Sequence, residues 1–247
     1  IADPAEDFSV TRFQESARTA LAGIAARRHR AVLVGGTGLY LRAVVDDLDI
    51  PGRWPKVVAR LEAEVPSANG DHTLVPLHDR LRLLDPVGAS RIEPSNRRRL
   101  IRALEVTLGS GRPFSSFGPG LEKYPSTSCR MVGLEVPGEE LDRRIESRFS
   151  TQMQAGWLEE VRSLESRPGG MSPTARQALG YRELLSHLED GVPLDQAVSE
   201  GIRRTKRFAR RQMSWFRRDP RVIWVDARDN PFSAVRGLLG DWGSWRS

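Results

Sequence analysis

A short apolar run, Val32-Leu33-Val34, breaks into Gly35-Gly36-Thr37-Gly38 and resumes as the amphipathic Leu39-Tyr40-Leu41. A run of branched aliphatic residues too short for a helix and bounded by glycines reads as a buried strand. The glycines mark a tight turn where the backbone can come close to a ligand. The helix that follows offers its first unpaired N–H groups to an anion. The expectation is a strand over 31–34, a turn, and a helix from 38 to about 45. The ligand site would then lie at the carboxyl end of a parallel strand, where open α/β sheets bind their substrates.

The rest of the chain supplies elements for such a fold. Phe13, Ala17, Leu21 and Ile24 share one helical face, with Ser9 placed to cap it. The stretch 55–110 reads as three helices without a strand. The first carries Val57, Val58 and Leu61, and the second Leu77, Leu81 and Leu84. The third runs from a cap at Ser95 to Leu108 and closes near Gly109 or Gly111. A Pro, Ser and Gly-rich loop returns over 113–128. A second strand is expected over 131–136. A strong helix follows over 139–157, with Leu141, Ile145, Phe149 and Met153 four apart. Two further helices (174–189 and 194–217), a short strand (222–225) and a helical tail complete the chain. Trp54, Trp157, Trp224, Trp242 and Trp245 read as packing residues. Strands alternating with helices, interrupted by a helical excursion, imply an α/β core over 1–49 and 129–247 with an inserted helical lobe over 50–128.

Charge narrows the partners. The formal net charge is +6 and the pI about 10.2, a sign that favours a polyanion. Arg97, Arg98 and Arg99 are consecutive, and 203–218 holds eight basic residues with no acid before Asp219. The single cysteine, Cys129, excludes an internal disulfide and a cysteine-based metal cluster. No apolar run approaches the roughly 18 residues of a membrane span. A reducing cytoplasm, a monomer and no membrane contact are the expectations.

Read in order, several stretches resemble the tRNA dimethylallyltransferases. Asp3-Pro4 with Phe8-Ser9 and Phe13 is similar to the family's DP…(Y/F)S…F stretch, and Gly35 to Tyr40 to its GGTxLY motif. Asp85-Pro86, Arg91-Ile92 and 99–106 resemble its DP…RI…RALEV run. Gly180 to Glu183 resemble GY(K/R)E, and 209–216 the A(K/R)RQxxW(F/L) run. Each is weak alone; the order from Ala2 to Trp224 is specific. The resemblance implies a P-loop NTPase-like parallel-sheet core with a helical insertion lobe. It implies transfer of a dimethylallyl group from dimethylallyl diphosphate to the exocyclic amine of the adenine beside the tRNA anticodon, with Mg²⁺ as cofactor. It also implies an upstream P-loop, G-x-x-x-x-G-K-[ST], and an Asp-Ser strand end whose Asp is the general base. Neither is among these 247 residues. The expectation is that this part lies upstream or on another chain, and that activity of this chain alone depends on it.

The resemblance also sorts the candidate residues. Spacing alone leaves Thr37 evenly divided between a turn-closing threonine and a hydroxyl that meets the amine, the allylic carbon and the diphosphate. The resemblance favours the second. Arg144, Arg148 and Gln152 flank the apolar stripe at i, i+4 and i+8. By sequence they read as a solvated flank paired with Glu140 or Glu146, whereas the family's RxxxRF pattern implies that Arg148 binds diphosphate. Gly35, Gly36, Arg144, Arg210 and Arg211 are the expected diphosphate channel. For tRNA contact the candidates are Thr37, then Arg98, Arg99, Leu100, Ile101 and Arg102. Gln177, Ala178, Leu179, Gly180, Tyr181 and Arg182 complete that set, in the first turns of a helix where Gly180 would cost about 1 kcal/mol against alanine. Close approach of RNA or tight helix packing would each explain that glycine. An adenylate isopentenyltransferase and a non-catalytic tRNA-binding module are the alternatives. A nucleotide kinase is a third, favoured only by a P-loop and a phosphate-acceptor site upstream.

Overall fold

The structure, a computed structural model, describes residues 1–65, 74–118 and 120–240. It divides into two compact units, Ile1–Leu41 with the chain from Ser126 onward, and Arg42–Pro125. The first boundary falls between Leu41 and Arg42, inside a helix.

The first unit opens with α1 (Val10–Ala26), whose N-cap Ser9 accepts a hydrogen bond from the Arg12 N–H as the sequence indicated. Before it, residues 3–7 are fastened to a later loop. The Ser172 N–H donates to the Pro4 carbonyl at 2.8 Å, Thr174 to Asp7 at 2.9 Å, and Arg167 to Asp3 at 3.0 Å. After the helical start of α2 (Gly38–Val45) the chain leaves for the second unit and returns as β1 (Met131–Glu135). Helices α7 (Gly138–Gln154), α8 (Trp157–Glu165), α9 (Pro173–Arg176), α10 (Tyr181–Asp190) and α11 (Leu194–Phe216) follow. Next come β2 (Val222–Asp226) and α12 (Phe232–Gly240). Trp242 and Trp245 lie outside the described residues. Strands β1 and β2 pair in parallel, Met131 opposite Val222 through Glu135 opposite Asp226, and the intervening helices are the crossover that a parallel pair requires. Ile145, Phe149, Trp157, Val161, Leu184 and Leu185 form the core of this unit where α7, α8 and α10 meet.

Two expectations change in this unit. The strand expected over 31–34 does not form among the described residues, and Val32 and Val34 are 68% and 87% exposed. The run has strand character in sequence, but a strand is buried only by neighbours that complete its ladder and cover its faces. The helix expected over 174–189 is two helices, interrupted at 177–180 because Gly180 takes φ +88°.

The second unit is helical. It comprises the rest of α2, then α3 (Pro55–Glu64), α4 (Val75–Leu84), α5 (Pro86–Ser90), α6 (Arg97–Ser110) and a single 3₁₀ turn at Phe114–Ser116. The N-cap of α6 is Asn96, one residue beyond the expected Ser95, and Gly111 closes the helix at φ +72°. Leu61, Leu77, Leu81, Leu100 and Leu104 fill its core. Asp85 is buried at the head of α5, where it accepts from the Gly88 N–H, the Ser115 N–H and the Ser115 hydroxyl. The two ends of the unit are tied by Arg42, only 2% exposed. Its guanidinium pairs with Asp46, donates to the Leu121 and Lys123 carbonyls, and lies 4.7 Å from the Tyr124 ring centre.

Candidate active site

The glycine-rich turn sits between the exposed run 31–34 and α2. The Thr37 carbonyl starts α2, accepting from the Tyr40 and Leu41 N–H groups at 3.0 and 3.1 Å. Its side chain is exposed, and its hydroxyl has no hydrogen-bond partner among the described residues. Thr37 therefore does not cap the helix with its hydroxyl; that oxygen is left to solvent or to a ligand. Tyr40 anchors the other side of α2's first turn. Its ring stands 4.7 Å from that of Phe13 on α1, and its hydroxyl donates to the Phe8 carbonyl at 3.3 Å.

The glycines prove to be spaced for protein as much as for ligand. Gly35, Gly36 and Gly38 all lie outside the positive-φ region. What requires glycine at two of them is close approach from α11. A Cβ on Gly36 would lie 2.4 Å from the Gln212 amide nitrogen, and one on Gly38 would lie 2.0 Å from the Trp215 indole nitrogen. A Cβ on Gly35 would meet only the Leu41 side chain at 3.6 Å. Of the two glycines expected to border a diphosphate, Gly35 has room beside it, whereas the space over the Gly36 Cα is filled by Gln212. Sequence reasoning missed Gln212 and Trp215 as turn-contacting residues, because nothing in a local pattern says what packs on a glycine.

On α7 the structure separates two arginines that spacing treated alike. Arg144 is held by Glu140 at 2.8 Å and donates to the Arg228 carbonyl at 2.7 Å. The hydrogen bond from Arg144 holds the Glu140 carboxyl below its ordinary range. Arg148 has neither carboxylate that spacing offered it. Glu140 is taken by Arg143 and Arg144, and Glu146 by Lys206 at 2.6 Å. The Arg148 guanidinium is exposed and has no partner among the described residues. It borders a shallow, open hollow of about 540 Å³ along α7, lined also by Glu140, Arg143, Arg144, Ser147, Thr151 and Gln152; with Arg143 and Arg144 engaged by Glu140, Arg148 is the arginine there left open to an anion. Thr37 does not line that recess. The element that touches both regions is α11. Gln212 reaches the turn, while Arg210 and Lys206 reach Asp142 and Glu146 on α7. Arg210 is thus ion-paired, and Arg211 lies over the Phe208 ring at 5.8 Å.

The residues expected to meet RNA are sorted in the same way. In the second unit Leu100 and Ile101 are core residues, 0% and 6% exposed, so their side chains are not an RNA surface. Arg102 pairs with the buried Glu105 at 2.7 Å and donates to the Pro51 carbonyl at 2.7 Å, which commits it to the fold. The Arg98 and Arg99 side chains are exposed and their guanidinium groups have no partner among the described residues. In the first unit, Gln177, Ala178 and Arg182 are exposed around the turn and Leu179 is half-buried. Gly180 is buried. A Cβ there would lie 2.0 Å from the Trp157 indole, so packing explains this glycine. Glu183 caps α10 by accepting from the Gly180 N–H at 2.8 Å, and Arg204 pairs with it at 2.6 Å. The Tyr181 ring stands 5.8 Å from Trp157 and its hydroxyl donates to Glu160. Burial, with that hydrogen bond, pushes its phenol above the ordinary value. No described helix is long and apolar enough to cross a membrane.

The first unit is thus an α/β unit with a parallel strand pair, a glycine-rich turn whose threonine hydroxyl has no partner among the described residues, and an exposed arginine on α7 without a carboxylate partner. The sequence model of the IPP transferase family matches residues 1–219, and the chain belongs to that family. It is 45% identical to the tRNA dimethylallyltransferase of Kineococcus radiotolerans, over 97% of this chain and 74% of that protein. It is 39% identical to the tRNA dimethylallyltransferase of Desulforudis audaxviator, over 97% and 77%. Among solved structures it is similar to the full-length tRNA isopentenylpyrophosphate transferase of Bacillus halodurans, with a TM-score of 0.62 and 32% identity over 99% of this chain and 75% of that one. It also shares its fold with a eukaryotic dimethylallyltransferase acting on tRNA, with a TM-score of 0.75 and 22% identity over 100% and 65%. The fold is therefore the P-loop NTPase-like α/β fold that the motifs implied.

Proposed function

We propose that this chain works as a tRNA prenyltransferase, moving a dimethylallyl group from dimethylallyl diphosphate to the exocyclic amine of the adenine beside the anticodon. In that step an N–C bond forms at the allylic carbon and its C–O bond to diphosphate breaks. The bonding pair leaves with the diphosphate, and the amine gives up a proton. The chemistry asks for two things besides a base: groups that hold the substrates in line, and cationic or donor groups that accept growing charge on the leaving group. Thr37, exposed at the start of α2 with its hydroxyl unclaimed, suits the first and can donate to the second. Arg148, unpaired in its recess, suits the second. Arg98 and Arg99 in the second unit and Arg182 in the first are free cations for the RNA backbone. The observation that carries this reading is the family match running across the whole turn, with the hydroxyl at its tip left unpartnered.

Mg²⁺ would neutralise a diphosphate while it is bound. Among the described residues no group of three or more His, Cys, Asp or Glu side chains is placed to hold an ion. The described residues therefore do not offer a carboxylate or histidine cluster to hold the ion.

The test is transfer of label from radiolabelled dimethylallyl diphosphate to an anticodon stem-loop, in buffer containing Mg²⁺. It is run with this chain alone and with the chain fused to the upstream segment that the resemblance implies. The expected outcome is label on the RNA adenine, with turnover slowed by Thr37→Ala and RNA affinity little changed. Labelled free adenine nucleotide in place of RNA would make the protein an adenylate isopentenyltransferase. RNA that binds both forms and stays unlabelled would make it a non-catalytic RNA-binding module.

A further inference from the structure

We infer that Gln212 and Trp215, on α11, are positioning residues that set the Thr37 turn. This rests on the prenyltransferase reading for its kinetic consequence, but its geometry stands apart from that reading. The Gln212 side-chain amide donates to the Gly36 carbonyl at 2.7 Å, from 176 residues away in sequence. The Trp215 indole lies against the Gly38 Cα so closely that a Cβ there would be 2.0 Å from its nitrogen and 2.2 Å from the adjacent carbon. Gly36 and Gly38 are the two neighbours of Thr37. One is held by a hydrogen bond and the other by a flat ring, both from the same helix.

The turn needs such support. On its amino-terminal side the run 31–34 has no ladder among the described residues, and Val32 and Val34 face solvent. On its carboxyl side only the first turn of α2 continues it, pinned by Tyr40. Because the hydroxyl of Thr37 makes no bond of its own, its position is decided by its backbone. That backbone is fixed chiefly by α11. The same helix carries Lys206 and Arg210, which pair with α7, the helix of Arg148. A side chain that must be placed to a fraction of an ångström needs neighbours that lock it, and α11 supplies two.

Two variants and two readouts test this. Gln212→Leu keeps the size of the side chain and removes the donor. Gln212→Glu keeps the shape and puts a carboxylate against the Gly36 carbonyl. In the transfer assay each is expected to lower kcat by about 10- to 100-fold, the loss typical of a misplaced reacting geometry, while KM for RNA stays within about twofold. Gly38→Ala, which drives a methyl into the indole, is expected to do the same. Unchanged kcat in all three, or a raised KM with kcat intact, would overturn the inference. The second readout needs no activity. Hydrogen exchange at the Tyr40 and Leu41 amides, which bond to the Thr37 carbonyl, is expected to speed up by roughly tenfold in Gln212→Leu, with α1 amides unchanged. An unchanged exchange rate at these two amides would overturn it as well. If the chain fused to the upstream segment transfers no prenyl group while the variant shows the faster exchange, the prenyltransferase reading is sunk and the positioning role is left standing.

Discussion

Replacing Gly180 by alanine separates two explanations for a glycine at the head of a helix. At φ +88° and ψ −47° the residue sits where side-chain-bearing residues are strained by about 1–3 kcal/mol. The new methyl would also lie 2.0 and 2.3 Å from the Cη2 and Cζ2 atoms of Trp157, a side chain 8% exposed in the core of the first unit. Overpacking of that kind costs about 1–3 kcal/mol. Gly180→Ala is therefore expected to destabilise by about 2–6 kcal/mol in total. The atoms struck belong to the benzo ring of the indole, so Trp157→Phe removes them. In that background the same glycine substitution should retain only the backbone part, giving a coupling of about 1–3 kcal/mol between the two sites. Urea denaturation followed by far-ultraviolet circular dichroism measures all four corners of the cycle. A cost below about 1 kcal/mol for Gly180→Ala, or the same cost in both backgrounds, would refute the packing account. It would return Gly180 to the role of a backbone that RNA approaches.

The arginines of α6 should behave as two groups. Arg98→Ala with Arg99→Ala is expected to weaken tRNA binding and flatten the log–log salt slope by about 1.4–1.8, measured by filter binding across a salt series. Arg102→Ala should instead cost about 1.5–3 kcal/mol of stability, because it strips a charged donor from the buried Glu105; an altered salt slope with unchanged stability would reverse that assignment. Arg42→Met should destabilise by about 3–5 kcal/mol in urea denaturation, since a buried charged network loses one partner. Arg42→Lys should fall between, as one ammonium cannot serve both carbonyls and the Asp46 carboxylate; equal stability of all three proteins would argue against the network. The Tyr181 phenol is held protonated in the folded state by burial and by its bond to Glu160. The stability this confers is therefore complete below the ordinary phenol value of about 10 and falls as pH rises through the higher folded value. Tyr181→Phe should show a shallower alkaline loss of stability, and an unchanged slope would count against the assignment.

Much of the fold was legible in local pattern. The stripe Leu141-Ile145-Phe149-Met153 predicts α7, Ser9 predicts the start of α1, and the glycines at 109 and 111 bracket the end of α6, which falls at Gly111. These are contacts within one or two turns, and a 3.6-residue period reports them directly. The buried strand expected over 31–34 was not borne out: no strand forms there among the described residues and Val32 and Val34 are exposed. Residue chemistry fixes a preference for extended backbone, and only the neighbours decide whether it is laddered and buried. The candidate site was legible in its parts. Thr37 and Arg148 are both left unclaimed; spacing offered Arg144 its partner Glu140, but not the Arg228 carbonyl, nor that Arg148 would find no carboxylate.

By itself the sequence determined the order of the elements and the family, because helical periods, caps and ordered motifs are properties of neighbours along the chain. The tertiary structure alone decided what each glycine is for and which arginines are free. Gly36 and Gly38 make room for Gln212 and Trp215, and Gly180 for Trp157. Arg98 and Arg99 face solvent, whereas Arg102 is bound to Glu105. Volume above a backbone and competition for a carboxylate are settled by groups far apart in sequence, and no local pattern records which of them arrives.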